Sequence, residues 1–397
     1  MVNRDAACFV KMSSKNVVTI GRLIQKCLKE ACFLPQTPSS YSKEYRFLND
    51  KKYWVYDNPP SPLYYDRLLS PFRHLPAVGN EIPIIMECKP ESYLQQHWKQ
   101  WLPAFPPAVI KSVDEGLQDD VPVVTTAAFQ DIPKHKHSVN PDVLYEVQLK
   151  SSIANIKAPM PKHMDQNTVS YPCTVKVNMS SGGVGNCLVM NEGELSATLH
   201  KLRQVCGWTG EIVVQEFISG AREVPSFQFY LHKAGELFWL GTTTGEFCGF
   251  SWESGAVDWG KQEMYEHLAY EEFTLPIKNY LQERGYFGLV TFEVLITDHG
   301  KYLVDLNPRI GGDTTHLLLA RHMALDFGWK HSAIFCYNKH KTTAKKLVEK
   351  ANGINKKGER IIIVLSAVDA DVGCVSYLSI FAKTSEEVRT LFHSLNN

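Results

Sequence analysis

The stretch VTFEVLITDHGKYLVDLNPRIGGDTTHLLLARHMA, residues 290–324, constrains the fold more than any other part of the chain. Two runs with alternating apolar residues, VTFEVLI and KYLVDLN, flank Asp298-His299-Gly300. This pattern predicts a β-hairpin with a three-residue loop and Gly300 at its left-handed position. Pairing Thr297 with Lys301 then sets Glu293 opposite Asp305, with Asn307 two residues further along the same face. Phe292, Val294, Val304 and Leu306 would face the core. Two facing carboxylates repel unless a cation or a proton lies between them. Together with an amide oxygen they suit Mg²⁺, which keeps water and phosphate ligands of its own. The competing reading is a solvated edge hairpin with incidental acids.

A second feature lies upstream. Lys176 stands on the apolar run TVKV, either facing solvent from an edge strand or held there for a purpose. Six residues on comes Gly182-Gly183-Val184-Gly185, between two expected strands. Glycines let a backbone approach closely, so such a loop can turn its N–H groups towards phosphate oxygens. No GK[ST] follows, and a strand follows where a dinucleotide-binding loop would have a helix.

The chain has 397 residues, long enough for more than one domain or lobe, and its 42 basic side chains balance 42 acidic ones. This balance argues against a nucleic-acid or anionic-membrane partner. No apolar run approaches the ~18 residues of a membrane span. The segment MVNRDAACFVKMSSKN lacks a long apolar region and does not read as a secretory signal. Ten cysteines without paired spacing read as reduced thiols, Cys27 and Cys32 included, and point to the cytoplasm. His135 and His137 read as solvated loop residues. Asn178-Met-Ser matches a glycosylation sequon by chance, within a stretch assigned to ligand binding.

Helical spacing runs through GRLIQKCLKEACF (21–33), and Pro59, Pro60 and Pro62 mark a loop. IPIIMEC and VPVVTTAAF read as short buried strands with a helix, QQHWKQWL, between them. From Pro141 a helix capped by Asn140 or Asp142 should run until Pro159 and Pro161 stop it. Strand, glycine loop, strand, helix and strand follow, then antiparallel strands, a helix, the hairpin and a further helix. The tail reads as two strands and a helix.

Taken in order, KSSIANIKAPMPK, TVKVNMSSGGVGN, VVQEFISGARE, the FEVL strand and VDLNPRIGG resemble the ATP-grasp enzymes, which join a carboxylate to a nucleophile through an acyl phosphate. The resemblance spans Asn140 to Lys330, and acid-x-Asn-Pro-Arg after a strand is its most specific element. It implies an α/β fold with α+β lobes. Residues 1–139 would form an N-terminal α/β domain, 140–340 an ATP-grasp domain with ATP between two lobes, and 341–397 a small lid-like C-terminal unit.

Carried over by position, Lys150 and Lys176 would contact the α- and β-phosphates of ATP, and Gly182, Gly183 and Gly185 would close over them. Glu216, Phe217 and Ile218 would be the hinge against adenine, and Glu223 would hold the ribose hydroxyls. Glu293, Asp305 and Asn307 would bind Mg²⁺, with Mn²⁺ as a substitute. Arg309, with Lys176, would be catalytic, facing the acyl phosphate and the oxyanion formed as an amine attacks. The chain departs from the pattern in having Asp305 where the family often has Glu, and in lacking an acidic cluster after Glu223.

The implied activity is ATP-dependent joining of a small-molecule carboxylate to an amine, an amino acid in particular, with release of ADP and phosphate. A carboxylase, a phosphoryl transferase and a regulatory nucleotide binder of the same fold are the alternatives. A homodimer is compatible with the resemblance. Phe247, Phe250 and Trp252 could line an acceptor pocket, Asp313 or Thr314 would cap the following helix, and His316 reads as a packed helix residue.

Overall fold

The computed structural model describes residues 17–39, 46–49, 52–56, 65–358 and 360–396. The segment 1–16 and the expected loop at Pro59, Pro60 and Pro62 lie outside them.

Three sheets organise the described residues. The first is parallel, with β1 (Cys32–Leu34), β2 (Pro83–Ile85), β3 (Val109–Lys111) and β4 (Val123–Thr125) in the order β3-β2-β1-β4. Each strand has only three residues, buried almost throughout in β1, β2 and β4, so their short apolar runs carry no alternation to read. The order reverses between β1 and β4. In open parallel sheets the loops leaving such a switch point diverge and open a crevice.

The second sheet is small and antiparallel, with β5 (Cys173–Val177) between β6 (Asn186–Val189) and β7 (Ile212–Glu216). The third has eight antiparallel strands. They are β8 (Pro225–Leu231), β9 (Leu237–Cys248), β10 (Ser251–Asp258), β11 (Gly288–Ile296), β12 (Lys301–Asn307), β13 (His331–His340), β14 (Ile361–Asp369) and β15 (Cys374–Ala382). Their order is β12-β11-β8-β9-β10-β13-β15-β14. The two tail strands thus extend this same sheet, with the helix Ser385–Asn396 after them.

One face of the hairpin end of that sheet packs Phe227, Phe229 and Phe292 against Phe273, Ile277 and Leu281 from the helical segment before β11. The opposite face is therefore left for polar residues. The helix Thr314–Phe327 is buried along most of its length, and Gly328 ends it in the left-handed region at φ 72°.

Several local expectations need correction. The helix expected over 21–33 spans only Ile20–Gln25, capped by Thr19, and Cys32 and Phe33 belong to β1. Cys27 and Cys32 therefore do not share a helix, and the nine described cysteines are all free thiols. The helix capped by Asn140 ends at Gln148, well before Pro159, and continues as a tighter 3-10 turn over Lys150–Asn155. His137 is buried, its ring meeting the Phe129 N–H at 3.3 Å, whereas His135 is exposed.

The hairpin turns differently from the expectation. Ile296 pairs with Lys301, and Thr297 sits in the turn, its hydroxyl accepting from the N–H groups of His299 and Gly300. Gly300 is not left-handed. This register alone would misalign the acids by one residue. A β-bulge between Glu293 and Val294 restores Glu293 opposite Asp305 by giving β12 one extra residue, Val304. As a result Leu303 joins Leu306 in the core, and Val304 lines a cavity.

Candidate active site in the cleft between the three sheets

A cavity of about 670 Å³ lies where the three sheets meet. This is within the usual size of small-molecule sites, roughly 300–1,000 Å³. The loops leaving β1 and β4 at the switch point contribute Thr37, Ser39, Thr126 and Ala127 to its wall. Of the residues singled out above, Lys150, Lys176, Gly182, Gly183, Glu216, Phe217, Ile218, Glu293, Asp305, Asn307 and Arg309 line it. Phe247, Phe250 and Trp252 line it too.

Glu293 and Asp305 face each other across the β11–β12 ladder. Burial and the neighbouring Asp305 push the Glu293 carboxyl up. Burial acts the same way on Asp305, but Lys150, Lys176 and the Asn307 amide outweigh it and hold Asp305 down. The pair thus retains a proton on Glu293 where a cation could take its place. Lys150 Nζ meets Asp305 Oδ1 at 2.7 Å. Asn307 donates to Asp305 Oδ2 at 3.0 Å and accepts from Arg309 Nη2 at 2.9 Å. Among the described residues no three His, Cys, Asp or Glu side chains converge on one metal position. Two carboxylates and an amide are nevertheless the sparse oxygen set that suits Mg²⁺ with bound phosphate.

Lys176 lies on the middle strand of the small sheet, 8% exposed, which removes the reading of a surface lysine on an edge. Its ammonium donates to the Val304 carbonyl at 3.0 Å. Burial and the nearby Lys150 lower its pKa to about 8. A desolvated lysine beside another cation favours anions, and both lysines reach the same cavity as the glycine loop. In that loop Gly182, Gly183 and Gly185 all have positive φ, at 63°, 78° and 77°. A side chain on Gly183 would collide with the Phe250 carbonyl, so the loop already rests against the β9–β10 tip.

Other positions do not converge. Gly185 packs against Val177 and Tyr56 and is not part of the cavity wall. Glu223 accepts from the Tyr265 hydroxyl and likewise lies off the wall. The Glu216 carboxylate accepts from the Lys162 N–H at 2.8 Å. Asn178 is buried, donating to Ser151 Oγ at 3.0 Å and to Glu211, which is no setting for a glycosylated side chain. His316 is fully buried between Ser379 and Ser332, as a packing residue. Asp313 takes the N-cap position of the helix Thr314–Phe327, its carbonyl accepting from the Leu317 N–H at 2.9 Å, but its side chain makes no cap bond. Its carboxylate instead accepts from Gln228 Nε2 at 2.6 Å and from Thr243.

Arg73, Tyr337 and Tyr377 also line the cavity, and nothing in the sequence singled them out. Arg73 follows the short helix Ser70–Phe72, and the tyrosines lie on β13 and β15. No motif marks them, because their meeting depends on the long-range packing of three separate segments. Among the described residues no helix is long and apolar enough to cross a membrane.

Residues 146–313 match the model of the ATP-grasp domain. No curated protein matches the chain in sequence. Among solved structures, an N5-carboxyaminoimidazole synthetase from Staphylococcus aureus complexed with ADP superposes with a TM-score of 0.57 at 10% identity, over 96% of this chain and 99% of that one. An ADP complex of another N5-carboxyaminoimidazole ribonucleotide synthetase gives 0.56 at 13% identity, over 93% and 97%. The Aspergillus clavatus N5-carboxyaminoimidazole synthase, in complex with ADP and 5-aminoimidazole ribonucleotide, gives 0.52 at 11% identity, over 92% and 98%. At these identities the superpositions speak for the fold alone. Residues 146–313 are thus similar to the ATP-grasp domain, and the superpositions agree with an ATP-grasp fold for the chain.

Proposed function

We propose that the chain is an ATP-dependent ligase that joins a carboxylate to an amine, releasing ADP and phosphate. The observation that carries this reading is the meeting of Glu293, Asp305, Lys150, Lys176 and Arg309 on one cavity. Phosphoryl transfer needs little covalent help from a protein; it needs positioning and charge neutralisation. Lys150, Lys176 and the loop at Gly182–Gly183 are suited to the nucleotide phosphates, and Glu216, Phe217 and Ile218 to the adenine edge.

Glu293, Asp305 and Asn307 would hold Mg²⁺, or Mn²⁺ in its place. Bound there, the ion would neutralise charge on the phosphates. In the reaction a substrate carboxylate oxygen attacks the γ-phosphorus and the bond to the β-phosphate's bridging oxygen breaks. The amine then adds to the acyl carbon, loses its proton, and phosphate departs. Arg309, which donates to Asn307 at 2.9 Å, would stabilise the oxyanion of that addition. Of the residues carried over from the resemblance, Glu223 has the weakest support, because Tyr265 already occupies its carboxylate. We read the chain as units 1–139, 140–340 and 341–397, with the cavity drawing on all three.

A carboxylase is the second reading, favoured by the coverage of the N5-carboxyaminoimidazole ribonucleotide synthetases over more than nine-tenths of this chain. ADP release with Mg·ATP separates the two. The ligase reading expects release that depends on a pooled set of amino acids and persists in bicarbonate-free buffer. Release that requires bicarbonate would transfer the assignment to a carboxylase. Tight ATP binding with no release under either condition would favour a regulatory nucleotide binder.

A further inference from the structure

We propose that Arg73 forms an anion-binding subsite at the end of the cavity away from the lysines, and that it selects a substrate carrying a carboxylate or a phosphate beside a flat body. The proposal rests on the ligase reading only in calling that ligand a substrate.

Four observations converge. Arg73 and Arg309 both line the cavity, and each guanidinium lies within the other's electrostatic reach. Among the described residues neither has a carboxylate within ion-pair distance. Arg309 donates to the Ile310 carbonyl and to Asn307, while Arg73 meets the His74 ring at 3.3 Å and bonds the Tyr377 side chain, none of them a charged partner. Asp313 lies within electrostatic reach of Arg73, and Asp305 and Glu293 within reach of Arg309, but none closes an ion pair with either guanidinium, which leaves their donors to an anionic ligand.

Second, Arg73 lies over the Tyr377 ring, 5.0 Å from its centre, which fixes the plane of the guanidinium without neutralising it. Third, Tyr337 stands at a β-bulge of β13 with φ 51°, the one positive-φ residue other than glycine among those described. Its ring meets Tyr377 at 5.0 Å between centres. A bulky residue in that region is strained and persists where the surroundings over-determine it, typically at a ligand site. Fourth, Gly312 leaves space between Arg73 and Trp252. A side chain there would come within 3.8 Å of Arg73 Nη1 and 3.2 Å of the Trp252 ring.

This end is not the phosphate end. Tyr337 is on β13 and Glu293 on β11, four strands apart in the sheet order. At about 4.8 Å per strand they are roughly 19 Å apart along the sheet. The ligand the subsite fits therefore places an oxyanion on Arg73 and a planar or apolar group against Trp252, Tyr337 and Tyr377. Its reacting group points towards Arg309.

The test uses the full chain saturated with Mg·ADP, read by isothermal calorimetry and thermal shift, so no turnover is needed. The probes are inorganic phosphate, succinate and an equimolar pool of the twenty amino acids, titrated separately. The expected result is saturable binding of at least one probe to the wild type, weakened tenfold or more in Arg73→Met. Arg73→Lys should fall between, and Mg·ADP affinity should stay within twofold in both variants. The arm that binds distinguishes a phosphate-bearing from a carboxylate-bearing substrate. Equal probe affinity in wild type and Arg73→Met overturns the subsite, as does failure of the wild type to bind all three probes. If Arg73→Met fails to bind Mg·ADP, Arg73→Lys decides, and unchanged probe affinity there counts against the proposal. Failure of ligation with intact probe binding would count against the ligase reading alone.

Discussion

The Lys176 ammonium lies 3.0 Å from the carbonyl oxygen of Val304, the extra residue that the bulge in β12 leaves unpaired beside Asp305. The bulge thus does two things: it aligns the two acids, and it frees a carbonyl that holds a buried lysine between the small and large sheets. Removing the lysine should expose its worth. Lys176→Ala is expected to weaken Mg·ADP binding by roughly tenfold to 100-fold, the range of a charge-assisted hydrogen bond. Calorimetry on the folded variant checks this, and affinity within twofold of wild type would remove Lys176 from the nucleotide site.

Proton linkage offers a second check. The lowered pKa of Lys176, about 8, leaves it partly neutral in mildly alkaline solution, and bound phosphate should restore its charge. The Glu293 carboxyl is pushed up by burial and Asp305, so a cation arriving there should displace a proton. Mg·ADP binding is therefore expected to release protons near pH 6 and to take them up near pH 8.5. Calorimetry in buffers of different ionisation enthalpy reads the sign directly. One sign at both pH values would mean that at least one of these groups is misassigned.

Glu293→Gln should uncouple stability from turnover. The folded pKa of Glu293 is raised, so its contribution to stability is greatest at low pH and declines as pH rises through that value. Glutamine carries no such penalty. The melting temperature of the variant relative to wild type is expected to rise between pH 5 and pH 8 without Mg²⁺. Mg²⁺-dependent turnover should fall by roughly 100-fold or more, as when one preorganised electrostatic partner is removed. A stability difference that is flat with pH contradicts the buried facing pair.

Gly183→Ala tests the glycine loop. The positive φ alone costs an alanine about 1–2 kcal/mol, and its methyl would strike the Phe250 carbonyl. The loop should then lift from the β9–β10 tip, with nucleotide affinity falling by about tenfold while the small sheet stays folded. Unchanged affinity would show that closure of the loop on Phe250 is dispensable.

Sequence alone disclosed the acids, the lysines and the order of the motifs, because each rests on a local pattern. Alternation placed Glu293 opposite Asp305 even though the assumed turn was off by one residue. The bulge that compensates is invisible in a period of two, since it depends on the turn that Thr297 closes. The N-terminal sheet was harder for a different reason. Strands of three residues, such as Cys32–Leu34, are too short to show a period, and helix-favouring neighbours masked β1. With β1 hidden, the switch point between β1 and β4 could not be located, nor the half of the cavity that it builds. Arg73 and Tyr337 bear no motif at all; only the packing of distant segments brings them together.

The central claim, that ATP energy passes through an acyl phosphate into an amide bond, is tested most directly by oxygen tracing. Amino acids labelled with oxygen-18 in their carboxyl groups are incubated with the full chain and Mg·ATP, and phosphate and products are analysed by mass spectrometry. Ligation through an acyl phosphate yields inorganic phosphate carrying one oxygen-18 and a product with the mass of acid plus amine minus water. Unlabelled phosphate, or a product that has gained the mass of a carboxyl group, would contradict it.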